Sequence, residues 1–234
     1  YALKEAAYLI DRMIGHRQDI IDNMIHRNCR LVVMAHDEFT TQVPEHSGMT
    51  PAKFWDRRAR GLGSSRKDPV ASCAEENLLC YPGDPYNTEN IMIHEFAHAI
   101  HLNGIYDVDT TFDKRLGKTY KAAMAKGLWK SKYAANNKAE YWAEGVQSWF
   151  NTNRPPDHDH NHVDTREELK EYDPGLAKLV GEIFGDTGWR YKRPSQRKSP
   201  GHLQGFDPLK TPIFKWPKEL NDFYLKHIRE QNKT

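Results

Sequence analysis

Two histidines stand four residues apart with a glutamate after the first, in His94-Glu95-Phe96-Ala97-His98. On a helix, positions i and i+4 share a face, so both imidazoles can reach one zinc ion while Glu95 points toward a water bound to it. That is the arrangement of a metal-dependent hydrolase. With 12 histidines in the chain, a chance pair on an ordinary amphipathic helix is the competing reading. Against it, Ile91, Ile93, Phe96, Ala97 and Ile100 give the segment enough apolar surface to be buried, and buried histidines and glutamates need partners. Catalytic zinc takes three protein ligands and leaves one position open, so a third ligand must come from elsewhere.

The stretch NNKAEYWAEGVQSWF at 136–150 is expected to supply it. Asn137 and Glu140 have the spacing of a capping box, in which the glutamate turns back to the helix start. Glu144, one turn deeper, is then free to enter the metal site, while Trp142, Ala143, Val146, Trp149 and Phe150 anchor the helix in the core. Glu140 is the rival ligand because it shares that face. His101, three residues beyond His98, is a weaker rival, better suited to packing or bonding beside the site. Farther on, His158, His160 and His162 alternate with Asp157, Asp159 and Asn161 in a loop. Such a tract binds a second metal or stands free in solvent.

HEFAH at 94–98 followed well downstream by EYWAE at 140–144 resembles the gluzincin branch of the zincin metallopeptidases. It is particularly similar to the catalytic domain of the anthrax lethal-factor family and its proline-specific secreted relatives. The likeness covers about residues 70–150. It implies His94, His98 and Glu144 as zinc ligands, Glu95 as general base, and a substrate-lining strand before the active-site helix, with ENLLCY at 76–81 in the right place. The family also carries a tyrosine seven residues before its glutamate ligand, to assist at the oxyanion. Counted from Glu144 that place holds Asn137, and Tyr133 is the substitute. No metzincin continuation follows His98.

The elements that must position these groups are legible as periodicity. Apolar residues at helical spacing from Leu3 to Ile25 read as two helices or one bent near Gly15, and Cys29 to Ala35 as a central strand. Thr50-Pro51 opens a short helix, and Gly104 is expected in the left-handed position ending the HEFAH helix. Further helices are expected between Asp113 and Gly127, from Asn137, after Asp164 or Thr165, from Asp173-Pro174 to Gly185, and at about Glu219–Glu230. The fold expected is α+β and zincin-like, mostly helical, with a small mixed sheet preceding the active-site helix. Residues 1–234 form a single catalytic domain, with an upper lobe of about 1–104 and a helical lower lobe of about 105–234.

Composition narrows the function classes. Lys and Arg number 34 against 32 Asp and Glu, which gives no field favouring nucleic acid. No apolar run reaches membrane-spanning length. A run of arginines, Arg57, Arg58 and Arg60, could bind a substrate carboxylate or phosphate, but such runs usually pair with surface acids. Cys73 and Cys80 are expected to form a disulfide with Cys29 left reduced, which would suit an extracellular protease released from a precursor; a cytoplasmic location is the alternative. The expected function is Zn2+-dependent hydrolysis of a peptide or protein substrate, with Glu95 and Tyr133 catalytic. A zinc amidase and an idle zincin-fold binding domain are the alternatives.

Overall fold

The structure, a computed structural model, describes residues 1–231. It is mostly helical with one small sheet, an α+β arrangement. The apolar stripe at the N-terminus folds as α1 (Ala2–Ile14) and α2 (Gln18–His26), separated beyond Gly15. β1 (Arg30–Met34) follows. After α3 (Ala52–Arg58), β2 (Val70–Ala74) pairs with β1 in parallel, from Arg30 opposite Val70 to Met34 opposite Ala74. Leu62 makes an antiparallel bridge to Ser72. Since that bridge takes both backbone groups of Ser72, it lies on the edge of β2 away from β1. The middle position therefore belongs to β2, buried along its whole length, and the expectation of β1 as the central strand is corrected.

ENLLCY is not a strand. Glu75–Leu78 forms one helical turn, α4, which places Glu76 against Arg60 in a fully buried ion pair. The same turn sets the Asn77 amide to donate to Asp84 Oδ2 (2.8 Å) and to the carbonyls of Tyr86 and Glu89 (3.0 Å each). Alternating strand geometry could not satisfy these neighbouring side chains on adjacent sides. Nor do the cysteines pair: Cys29, Cys73 and Cys80 are all free. Cys73 is sealed inside β2, whereas Cys80 Sγ turns back toward Asn77 O at 3.8 Å. The extracellular expectation loses the disulfide on which it leaned.

The HEFAH helix is α5 (Ile91–Ala99), capped by Asn90 Oδ1, which accepts from Ile93 N at 3.0 Å. It does not end in a left-handed glycine. It widens into a π-helical segment, Ile100–Ile105, and continues into the short α6 (Tyr106–Val108). Gly104 is there for a different reason: a Cβ would stand 2.6 Å from Ile20 Cγ2, because α2 crosses at that point. The remaining helices are α7 (Phe112–Ala125), α8 (Lys138–Trp149), α9 (Arg166–Tyr172), α10 (Pro174–Phe184) and α11 (Lys218–Gln231).

α8 packs on α5 through the core. Trp142 is fully buried, and its indole N–H donates to Ala97 O at 2.9 Å, so a large apolar side chain enters the core with its one polar atom satisfied. Asp173 joins three elements: it caps α10 by accepting from Leu176 N and also accepts from Tyr141 Oη and Trp129 Nε1. Residues 186–217 form a strap across α1 and the connection that follows α4, and their arginines are engaged internally, Arg190 with Glu167 and Arg197 with Glu5. A nucleic-acid arm would leave such groups free. α11 returns to lie along α3, with Tyr224 stacked on Phe54 at 5.5 Å. Among the described residues no helix is long and apolar enough to cross a membrane.

Candidate metal centre

α5 and α8 bring three ligand atoms together at the floor of a cleft of about 660 Å³. They belong to His94, His98 and Glu140, and lie within 4.8 Å of one another. Glu140 Oε2 is 3.0 Å from His94 Nε2 and 3.5 Å from His98 Nε2. This group could hold a metal ion.

The expected capping box is therefore only half present. Asn137 Oδ1 accepts from the N–H groups of Ala139 and Glu140, but the Glu140 side chain goes to the histidines instead of returning to the helix start. Glu144 sits one turn farther in, behind His94. Its Oε1 is 3.6 Å from both His94 Nδ1 and His160 Nε2, and its Oε2 accepts from Asn153 Nδ2 at 3.0 Å. Of the two carboxylates, Glu140 is the one that shares the Nε2 side of the imidazoles.

The orientation of His94 is set from behind. Gln147 Nε2 donates to Glu89 Oε2 (3.0 Å) and Asn90 O (3.3 Å), so its Oε1 faces His94 Nδ1, 2.8 Å away. An amide oxygen there accepts the Nδ1 proton and leaves Nε2 as the metal-binding nitrogen. Burial works against charge on His94, but the hydrogen bond to Glu140 and the negative charges of Glu95, Glu144 and Glu140 outweigh it and raise its pKa to about 10. Glu140 is buried too, yet the two histidines hold its carboxyl well below the usual range. A cation is thus favoured between these groups. Two imidazole nitrogens and a carboxylate oxygen are also the donor set of a catalytic zinc site, so the residues fit the ion.

Glu95 lines the same cleft and makes no hydrogen bond or ion pair among the described residues. Burial raises its pKa, with the neighbouring histidines opposing. Gly61 and Gly63 allow the edge segment to lie directly on this face of α5. A Cβ at Gly63 would stand 2.7 Å from His98 Cδ2, and one at Gly61 3.2 Å from Glu95 Cγ. The cleft wall assigned to ENLLCY is made instead by these residues, whose alternation with Leu62 turns their peptide groups away from Ser72.

Tyr133 also lines the cleft, its ring 6.2 Å from that of His94. Burial and the carboxylates of Glu140 and Glu95 raise its pKa, so the hydroxyl keeps its proton and remains a donor. His101 lies outside the ligand group, buried between Phe112 and Trp142. The three alternating histidines are separated. His158 is exposed and His162 packs on Tyr172, but His160 is buried at the cleft, its Nδ1 2.9 Å from Asp157 Oδ1. Sequence reasoning treated the three as one tract and did not single out His160, for which the spacing of Asp157 and His160 in one turn was the available signal.

Comparison of the chain with protein families, with curated proteins and with solved structures finds no match.

Proposed function

We propose that the chain is a zinc-dependent metallopeptidase, with the ion held by His94, His98 and Glu140 and with Glu95 as general base. The observation that carries this reading is the meeting of both Nε2 atoms and one carboxylate at a cleft floor where a second carboxylate, Glu95, has no partner among the described residues. A purely structural site would close the fourth position with another side chain. The resemblance supports the same assignment once the ligand is Glu140. Tyr133, not Asn137, is then the residue seven places before it.

Zinc, when bound, supplies Lewis acidity that lowers the pKa of a water and polarises a carbonyl. Glu95 takes a proton from the attacking water and returns it to the leaving nitrogen as the C–N bond breaks, a transfer helped by its raised pKa. Tyr133 donates a hydrogen bond to the carbonyl oxygen as negative charge develops there. Gln147 fixes the ring of His94, and Glu144, held by Asn153, keeps negative charge behind it. The peptide groups of Gly61 and Gly63 offer an extended substrate a backbone to pair with. Residues on both sides of α5 form the cleft, which suits one catalytic unit.

The test is Glu95→Gln, assayed on a broad peptide mixture with product termini read by mass spectrometry and with zinc content measured in parallel. Zinc should stay at one per chain while cleavage falls by about 10²- to 10⁴-fold. Equal cleavage at equal zinc content would remove Glu95 from the mechanism. Hydrolysis of non-peptide amides alone would transfer the site to the amidase reading.

A further inference from the structure

The three arginines at the end of α3 have separate fates. Arg60 is fully buried and paired with Glu76. Arg57 lies over the rings of Trp216 (4.5 Å) and Tyr224 (5.2 Å) and donates to Asn221 Oδ1. Arg58, between them, is exposed, lines the cleft, and has no acidic partner among the described residues. Its carbonyl is 3.4 Å from the Tyr86 hydroxyl, which donates to it. The backbone carrying Arg58 is thus pinned on both sides, while its guanidinium has no hydrogen bond or ion pair among the described residues.

The other arginine of the cleft, Arg154, is not free in this sense. It is paired with Glu89 and lies 3.5 Å from Asp157. Arg58 is close enough to Tyr133 for its charge to act on that hydroxyl, opposing burial. A guanidinium in a walled cleft presents a planar fork of donors that matches a carboxylate in two-point contact. The surroundings favour a single negative charge over a dianion, because Glu95, Glu140 and Glu144 already make the floor acidic.

We propose that Arg58 is a specificity residue that binds a substrate carboxylate, so that the preferred peptides carry an acidic group a short distance from the cleaved bond. This rests on the metallopeptidase reading for its position relative to cleavage, but the binding of the carboxylate does not. The carboxylate is either an Asp or Glu side chain or the free C-terminus of a short peptide. The two sources share the recognition chemistry and differ in which chemical change abolishes it.

The experiment uses matched peptides: Glu against Gln at each position in turn, and a free C-terminal acid against its amide. Cleavage by the wild type should favour the acidic member of one pair, by about 10-fold in kcat/KM, the weight of one charged hydrogen-bonding contact. In Arg58→Ala the ratio should fall toward one, and in Arg58→Glu it should reverse in favour of Lys at the same position. A merely structural role would lower both rates together and leave the ratio intact. Zinc-loaded Glu95→Gln is titrated with the same labelled peptides by fluorescence anisotropy, with and without Arg58→Ala. Arg58-dependent preference in binding without any cleavage by the wild type would sustain the carboxylate site and overturn the peptidase reading. Cleavage or binding with no acidic preference, a preference that survives Arg58→Ala, or no binding to any of the peptides would overturn the proposal itself.

Discussion

Glu140 and Glu144 lie one turn apart on α8 and present carboxylates to opposite sides of the same imidazole. Glu140 Oε2 meets His94 Nε2, whereas Glu144 Oε1 stands 3.6 Å from Nδ1. Helical periodicity made the pairing of His94 with His98 legible in the sequence, since i and i+4 must share a face. It could not rank two glutamates that also share one. The capping-box pattern favoured Glu144, but attraction to two histidines outcompeted a bond to a solvent-exposed helix start, and only tertiary packing reveals that. Zinc content after dialysis separates the two. Glu140→Ala should lose the metal, while Glu144→Ala should retain it with affinity weakened by about 10- to 100-fold, the usual scale for outer partners of a ligand. Loss from the Glu144 variant alone would return the ligand role to Glu144.

At the scale of elements, the position of α5 depends on the connection before it. Asn77, at the end of α4, donates to Asp84 and to two carbonyls of residues 86–89, and its Oδ1 accepts from Ile91 N at 2.8 Å. Pro82, Gly83 and Pro85 mark a break in the sequence, but nothing local shows that the break is organised around one buried amide. Helices α7 to α11 were legible because their apolar stripes and caps are local, with Thr165 and Asp173 both acting as caps. ENLLCY was not, because a single helical turn is too short to have a period of its own. Asp84 offers a test of this connection. It is 3% exposed, and burial raises its pKa to about 6 against hydrogen bonds from Tyr86 and Asn77. The folded chain therefore keeps a proton that the unfolded chain releases from about pH 4 upward. Stability from this group falls as pH rises through that window, and the loss is complete above about pH 6. Asp84→Asn has no such titration. From pH 4 to pH 7, urea unfolding should shift in favour of the variant by about 2 kcal/mol relative to wild type. A constant difference between the two proteins across that range would show that Asp84 does not titrate as its burial requires.

The whole molecule is closed by the strap at 186–217, and its chief polar attachment is a carboxylate at the other end of the chain. Glu5 on α1 is fully buried, with Arg197 Nη1 2.7 Å from its Oε2 and His202 Nε2 2.6 Å from the same oxygen. Tyr8 stacks on His202 at 4.2 Å and hydrogen-bonds the Trp189 indole, so the strap is held along α1 by rings as well as charge. Nothing local in the sequence of the strap could reveal the partner of Arg197, some 190 residues away. Removing one member of a buried pair leaves the other charged and unmatched, which costs about 3–5 kcal/mol. Glu5→Ala should therefore lower the urea midpoint sharply, whereas Glu167→Ala, at an exposed pair on the same strap, should leave it nearly unmoved. Trypsin provides the local readout, because Arg197, paired with buried Glu5, is held out of reach until the strap lifts. In Glu5→Ala, cleavage after Arg197 should precede cleavage elsewhere under conditions that leave wild type intact. Since the strap leads into α11, which carries Tyr224 to the cleft beside α3, the same variant should bind peptide more weakly while zinc content is preserved. An unchanged midpoint with an uncut strap would mean that Glu5 is not the clamp and that the apolar contacts, with the bond from Phe214 N to Pro82 O, hold the strap without it.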